Sequence, residues 1–244
     1  MKAFILSAGF GTRLQPFTNI HPKALAEING KSLLEINIRN LQRFGIFDIV
    51  INVHHFANQI IELLEKENGF GSNYEISNES DAILETGGGL KKAQDFLKND
   101  LDFLMINVDI ISNINLSDLI NHHQSTRALA TLAVQNRKSS RYLLFNEKEE
   151  LCGWENVKTE ETKLPRLDSI GAEIYTQLAF SGIQVLSKTI FDKINFAGRF
   201  SIIDVYLDLC KQEKIIGWDH SNDILLDVGR PESLIAASEI INWL

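Results

Sequence analysis

The sequence predicts an α/β fold in which a mostly parallel mixed sheet carries helices on both faces. Three observations predict it. Short apolar runs of strand length alternate with segments of helical period through the first half of the chain, the pattern left by successive βαβ units. Hydrophobic residues are 44% and charged residues 23% of the 244, near the globular average, so a core can form. No Pro- or Gly-rich linker, repeat or low-complexity stretch divides the chain, so residues 1–244 read as a single domain.

In order, residues 3–7 read as a buried strand. Residues 32–44 read as a helix with Leu34, Ile38 and Leu41 on one face and Ser32 as its N-cap. Asp48–Val53 is the second strand, residues 57–67 the next helix and residues 75–77 a short strand. A helix over 90–97 is entered through three glycines; a long buried strand over 103–107, a helix over 116–123 and a strand over 128–134 follow. After Arg141 the pattern loosens into pieces at 142–145, 151–154 and 178–185, which predict antiparallel strands at an edge. Helices over 202–211 and 232–243, with a strand over 224–228 between them, close the chain.

Lys plus Arg number 24 against 32 Asp plus Glu, a net charge of −8. So acidic a chain lacks the basic field that nucleic acid or an anionic membrane requires, and neither is expected as a partner. Any anionic ligand must be held by a few local cations and backbone N–H groups. The apolar runs fall far below the roughly 20 residues that span a bilayer. Gly9, Gly11 and Arg13 come too early for a signal-peptide core. Cys152 and Cys210, far apart and without metal-like spacing, fit a reducing compartment. A cytoplasmic location is therefore expected.

Ser7-Ala8-Gly9-Phe10-Gly11-Thr12-Arg13 follows the first strand directly, and its glycines let backbone N–H groups approach a phosphate. A dinucleotide fingerprint would need a third glycine where Leu14 stands. A P-loop ending in Gly30-Lys31-Ser32 would need its first glycine where Leu25 stands. Arg13, Pro16, Pro22 and Lys23 lie in a loop of about 15 residues without apolar period, and loops that long are usually functional or disordered. Anion binding by Arg13 and Lys23 is the expectation; a solvated surface loop is the alternative.

Asp109 ends an apolar run at the carboxyl end of a central strand, and Asp227 does the same after Ile224-Leu225-Leu226. Ligands gather at the carboxyl ends of parallel strands. Two convergent carboxylates suit Mg²⁺, which is held by one or two of them together with substrate phosphates. Leu84-Glu85-Thr86-Gly87-Gly88-Gly89 precedes a helix whose N–H groups could face a base, a sugar or a phosphate; a plain flexible turn is the alternative. Gly182 interrupts a strand pattern and would otherwise mark a bulge. Arg137, Lys138 and Arg141 could grip a sugar phosphate or a carboxylate, or form a solvated basic turn.

Gly9, Gly11, Thr12, Arg13, Leu14, Pro16, Thr18, Pro22 and Lys23 together resemble the signature of the sugar-1-phosphate nucleotidyltransferases, the nucleoside-diphosphate-sugar pyrophosphorylases. The resemblance spans nearly the whole chain and implies a Rossmann-like, glycosyltransferase-A-like nucleotidyltransferase fold. The activity it implies is nucleotidyl transfer from a nucleoside triphosphate to a sugar 1-phosphate, with Mg²⁺ as cofactor. It assigns catalysis to Arg13, Lys23 and Asp109, and nucleotide binding to Ala8, Gly9, Gly11, Thr12, Arg13, Glu79 and Gly87. Sugar binding falls to Gly88, Asn107 and Gly182, and metal binding to Asp109 and Asp227. Glu79 is placed to accept a pyrimidine N–H, or reads as a solvated loop carboxylate. Gln15, Val108, Leu225 and Arg230 depart from the family, which has Arg, Gly, Trp and Thr at those positions.

Glu85 with its three glycines, and the lack of a Glu-Lys-Pro motif between Trp154 and Leu178, are similar to the N-acetylmuramate 1-phosphate uridylyltransferases. That branch implies UTP as nucleotide and a role in cell wall recycling. No hexapeptide β-helix follows the last helix, so acyltransferase activity is not expected. A mannose- or heptose-1-phosphate guanylyltransferase, a glucose-1-phosphate thymidylyltransferase and a non-catalytic nucleotide-sugar-binding module stand as alternatives. A nicotinamide-dependent oxidoreductase is disfavoured by Leu14.

Overall fold

A computed structural model of the protein describes residues 1–166 and 175–240. The chain opens with β1 (Ala3–Leu6), then a loop folded into three single 3-10 turns, Thr12–Leu14, Phe17–Asn19 and Lys23–Leu25. Asn29 and Gly30, both at positive φ, close the two-residue turn of a hairpin, β2 (Glu27–Ile28) and β3 (Lys31–Ser32). There follow α1 (Leu33–Arg43), β4 (Asp48–Val53), α2 (Ala57–Lys66), β5 (Asn73–Asn78), α3 (Glu85–Lys92), α4 (Gln94–Leu97) and β6 (Asp102–Asn107). The second half runs β7 (Ile110–Ser112), α5 (Leu116–Thr126), β8 (Ala130–Gln135), β9 (Arg141–Phe145), β10 (Leu151–Asn156), β11 (Glu161–Lys163) and β12 (Thr176–Ser187). It ends with α6 (Ile202–Leu209), β13 (Ile215–Asp219), β14 (Leu225–Asp227) and α7 (Pro231–Ile240).

One mixed sheet organises the molecule in the order β11-β10-β9-β12-β6-β1-β4-β5, with β8 on β12 and β13 on β8. From β6 through β1 and β4 to β5 the pairs are parallel, as βαβ units require. Alternation along these strands sends residues to two cores. Ala3, Ile5, Ile49, Ile51, Leu104 and Ile106 join the helices α1, α2 and α5 on one face. Phe4, Val50, Phe103 and Met105 meet α3 and α6 on the other. Helices therefore cover both faces, as expected. Ser32 caps α1, its Oγ accepting the Glu35 N–H at 3.1 Å.

Several boundaries differ from expectation. The glycines before Leu90 lie inside α3, which begins at Glu85, and a second helix, α4, carries the segment on to Leu97. β12 is no edge strand: it lies between β6 and β9 and pairs with β8 as well. β7, β11 and β13 are additional strands, and β14 pairs with β7 in a separate two-stranded sheet instead of joining the central one. The last helix is described to Ile240; Trp243, its expected end, lies outside the described residues. Both cysteines are buried and neither forms a disulfide, and burial pushes the Cys210 thiol up to about 11. Among the described residues no helix is long and apolar enough to cross a membrane.

Candidate active site

The carboxyl ends of β1, β4 and β6 open onto a cavity of about 340 Å³, lined by residues that include Ala8, Gly9, Lys23, Asn52, Thr86, Asn107 and Asp109. The glycine turn forms one wall. Gly11 sits at φ +62, and a Cβ there would lie 2.9 Å from Thr18 Cγ2, so the close approach of the Thr18–Lys23 segment depends on glycine. Thr18 Oγ1 donates to the Gly11 carbonyl at 2.9 Å, and Leu14 is buried beneath, which fixes the loop. Gly9 is exposed and a Cβ there would meet nothing within 4 Å. Among the described residues, no acceptor meets the backbone N–H groups of Gly9, Phe10, Gly11, Thr12 and Arg13. Successive free N–H groups in a tight turn make an anion-binding concavity.

Against this wall stand the two cations and two aspartates singled out in the sequence. Lys23 Nζ lies 2.7 Å from Asp109 Oδ2. The Arg13 guanidinium bridges both carboxylates, at 3.8 Å from Asp109 and 3.6 Å from Asp227. Asp227 reaches the site through the separate two-stranded sheet: its register partner is Ile110, next to Asp109, and the Val228 N–H donates to the Asp109 carbonyl at 2.9 Å. Gly229 makes room for this cluster, since a Cβ there would lie 2.6 Å from Arg13 Nη2. Among the departures from the family, Val108 is wholly buried with its carbonyl accepting from Asn37 at 2.9 Å, and Leu225 packs on the core. Thr12 and Gln15 are exposed on the loop.

Among the described residues no three His, Cys, Asp or Glu side chains form a metal-ligand group. Asp109 and Asp227 nonetheless face one space, because one guanidinium touches both. A hard divalent ion that takes its remaining ligands from phosphates and water fits two such carboxylates.

The wall opposite the glycine turn differs from expectation. Glu79 is fully buried, not solvated, and is not among the residues lining the cavity. Its Oε1 accepts from Asn52 Nδ2 at 2.7 Å and its Oε2 from the Leu84 N–H at 3.3 Å. Burial raises its pKa above the usual carboxylate value, against the opposing pull of the Asn52 and Leu84 bonds and of Lys92 and His54. Gly87 and Gly88 lie inside α3, and both N–H groups donate to the Phe200 carbonyl, at 3.0 and 3.2 Å. A Cβ on Gly87 would strike the Phe200 ring at 2.5 Å, and one on Gly88 the Gly198 carbonyl oxygen at 2.5 Å. These glycines serve helix packing, and their N–H groups are not free for a ligand. Glu85 and Thr86 line the cavity in their place.

At the other end Gly182, at φ +74, forms the bulge of β12, and a Cβ there would lie 2.8 Å from Asn107 Nδ2. The expected sugar residues Asn107 and Gly182 are thus brought together, and Gly88 is not with them. Arg137 turns inward, donating to the Phe180 carbonyl at 3.0 Å, while Lys138 and Arg141 are exposed. Burial lowers the Arg137 pKa, opposed by Asp227 and Tyr142. Thr86 lines the cavity within the segment singled out in the sequence, whereas Asn52 and Ser201 line it but escape a reading of the sequence. Asn52 alone leaves a signal, as the one polar side chain in the run Ile49-Val50-Ile51-Asn52-Val53.

A family model described as "Nucleotidyl transferase" matches residues 2–242. N-acetylmuramate alpha-1-phosphate uridylyltransferase of Neisseria meningitidis serogroup B is 29% identical over 229 residues, 94% of this chain and 93% of that protein. Mannose-1-phosphate guanyltransferase of Yarrowia lipolytica is 28% identical over 241 residues, 98% of this chain; the chain spans 63% of that relative's length. Among solved structures, a putative glucose-1-phosphate thymidylyltransferase from Bacillus anthracis in complex with a sucrose gives a TM-score of 0.82 at 19% identity, covering 100% of this chain and 96% of that one. HddC from Yersinia pseudotuberculosis complexed with GMP-PN gives 0.77 at 22%, covering 99% of each chain. At these identities the likeness to solved structures shows the fold.

Proposed function

Because the chain belongs to the nucleotidyl transferase family, we propose that it transfers a nucleotidyl group from a nucleoside triphosphate to a sugar 1-phosphate. The observation that carries this reading is the convergence on one cavity of the glycine turn at Ala8 and Gly9, Lys23 and Asp109, with Arg13 joining Asp109 to Asp227. A phosphate oxygen of the sugar 1-phosphate attacks the α-phosphorus in line, the bond from that phosphorus to the β-phosphate's bridging oxygen breaks, and pyrophosphate leaves. The nucleophile is already an anion, so positioning and charge neutralisation are needed more than a general base.

The residues divide this work. The N–H groups of residues 9–13 bind the triphosphate, with Ala8 beside them, and Arg13 adds charge where the phosphates meet the aspartates. Lys23, half-buried, is fixed by Asp109 to face the transferring phosphoryl group. Asp109 and Asp227 would hold Mg²⁺, which supplies charge neutralisation at the phosphates. Asn107 and the Gly182 bulge shape the space left for the sugar.

Within this reading the preferred pair is UTP with N-acetylmuramate 1-phosphate, acting in the cytoplasm in cell wall recycling. Support comes from the Glu85–Gly89 segment and from the 29% identity to the Neisseria uridylyltransferase. The lactyl carboxylate of muramate needs a cation or N–H donor, and of the three basic residues considered only Arg137 turns inward. A charge-assisted contact discriminates by roughly 10- to 150-fold. The test is pyrophosphate release across a grid of nucleoside triphosphates and sugar 1-phosphates. UTP with N-acetylmuramate 1-phosphate should give the highest kcat/KM. GTP with mannose or heptose 1-phosphate in first place, the mannose pair being the one that the Yarrowia relative's name carries, would replace the muramate assignment and keep the transferase one. Release with no pair would overturn both.

A further inference from the structure

Two buried side chains join the walls of the cavity. Asn52, 2% exposed at the carboxyl end of β4, accepts on Oδ1 from the N–H of Ser7 at 2.6 Å and of Ala8 at 3.3 Å, where the glycine turn leaves β1. Its Nδ2 donates to Glu79 Oε1 at 2.7 Å. The second Glu79 oxygen accepts from Leu84, the residue just before α3. Gly89 allows this approach, for a Cβ there would lie 2.6 Å from Glu79 Oε1 and 3.0 Å from Asn52 Nδ2. The chain of bonds therefore runs from the turn, through Asn52 and Glu79, to the start of the helix that carries Glu85 and Thr86.

Polarity along this chain is set at both ends. Both Glu79 oxygens accept, from Asn52 and from Leu84, so Asn52 presents its NH₂ to Glu79, and its carbonyl oxygen is left for the two turn N–H groups. We infer that Glu79 and Asn52 are positioning residues for the nucleotide, Glu79 fixing the orientation of the Asn52 amide and that amide fixing the mouth of the glycine turn. Every side-chain nitrogen and oxygen of the pair already has a protein partner. Their effect reaches the nucleotide through the placement of Ala8 and Gly9 on one wall and of Glu85 and Thr86 on the other. This inference rests on the reading of the glycine turn as the triphosphate site.

The experiment is steady-state kinetics on the full chain with Mg²⁺, varying UTP and the sugar 1-phosphate separately, together with calorimetric titration of UTP. Glu79→Gln brings a second NH₂ group into the chain, and at least one of the four bonds is lost whichever way the two amides turn. KM and Kd for UTP should rise ~10-fold, the effect of about one buried hydrogen bond, with kcat and the KM for the sugar phosphate little changed. The double variant Asn52→Asp with Glu79→Gln reverses the polarity and restores every partner. The carboxylate introduced at position 52 would accept from the Ser7 and Ala8 N–H groups and from the NH₂ of the amide introduced at position 79, and the oxygen of that amide would accept from the Leu84 N–H.

Recovery of UTP affinity to within about 3-fold of the parent in the double variant is the expected result. Should Glu79→Gln fail to fold, recovery of folding and UTP affinity in the double variant supports the polarity argument on its own. A parent-like UTP KM in Glu79→Gln, an equal rise for both substrates, a loss of kcat at constant KM, or no recovery in the double variant each overturns the inference. A parent protein that is inactive with every substrate pair and binds no UTP overturns instead the reading beneath it.

Discussion

Two glycine-rich segments flank the cavity and look alike in sequence, Gly9-Phe10-Gly11 after β1 and Gly87-Gly88-Gly89 in α3, yet they use glycine for opposite ends. At the first, Gly9 faces open space and the N–H groups of residues 9–13 meet no acceptor among the described residues. At the second, a Cβ on Gly87, Gly88 or Gly89 would strike Phe200, the Gly198 carbonyl or Glu79, and two of the N–H groups already donate to Phe200. The first segment leaves donors for a ligand; the second lets a helix approach its neighbours. Composition alone does not separate the two cases. What separates them is where the donors go and what a methyl group would meet.

The comparison assigns chemistry to the first segment and its partners, and the largest effects should appear there. Asp109→Asn and Asp227→Asn should each lower turnover by ~100-fold or more at millimolar Mg²⁺, as expected when a charge-stabilising metal is lost from phosphoryl transfer. The measurement is pyrophosphate release at saturating substrates. Near-parent turnover in either variant would remove that aspartate from the proposed metal site and leave it as an ion-pair partner of Arg13.

Substituting one glycine from each segment tests the comparison directly. Gly88→Ala places a methyl group 2.5 Å from the Gly198 carbonyl oxygen and 2.9 Å from Leu84 Cβ, where the backbone must shift. Overpacking of this kind costs ~1–3 kcal/mol, or roughly 2–12 °C in Tm for a chain of this size. Gly9→Ala meets nothing within 4 Å in the protein, so its Tm should stay within about 1 °C of the parent. Its methyl group stands in the cavity, and the nucleotide KM should rise several-fold. Calorimetric melting and nucleotide-dependent kinetics on both variants give the answer. A stable Gly88→Ala with weak nucleotide binding, beside an unstable Gly9→Ala, would invert the comparison.

The first segment is legible in the sequence because each part of it is local. An uninterrupted apolar run marks β1, the glycines follow at once, and Arg13, Lys23 and Asp109 sit in loops or at strand ends where polar side chains stand out. β4 matches its expected bounds for the same reason. The second segment misleads because Gly87 and Gly88 answer to Phe200 and Gly198, over 100 residues away, a contact with no local signature. β7 and β14, three residues each, are too short to show a period, so the strand pair that sets Asp227 beside Asp109 is invisible in the sequence although both aspartates stand out. The Glu79 carboxylate reads as a solvated one because its partner Asn52 lies on a different strand.

Acid tests the same distinction on polar groups that serve packing. His123 is buried with Nδ1 2.8 Å from Thr131 Oγ1, and His220 is buried with Nε2 2.7 Å from Ser181 Oγ, both outside the cavity lining. Burial lowers both pKa values below the usual 6.5, against the weaker pull of Asp102 on His123 and of Asp223 and Asp219 on His220, whose ring lies 3.5 Å from Asp223. Between each folded pKa and 6.5 the unfolded chain binds more protons than the folded one, so stability rises with pH across that window and is lost as pH falls through it. Tm should therefore drop between pH 7.5 and pH 5.5, with or without nucleotide. Gln at either position has no proton to gain, so His123→Gln and His220→Gln should each show a shallower drop than the parent, whatever their Tm at pH 7.5. A parent whose Tm is the same at both pH values, or variants that fall as steeply as it does, would mean that these histidines are already charged in the fold and that burial does not govern them.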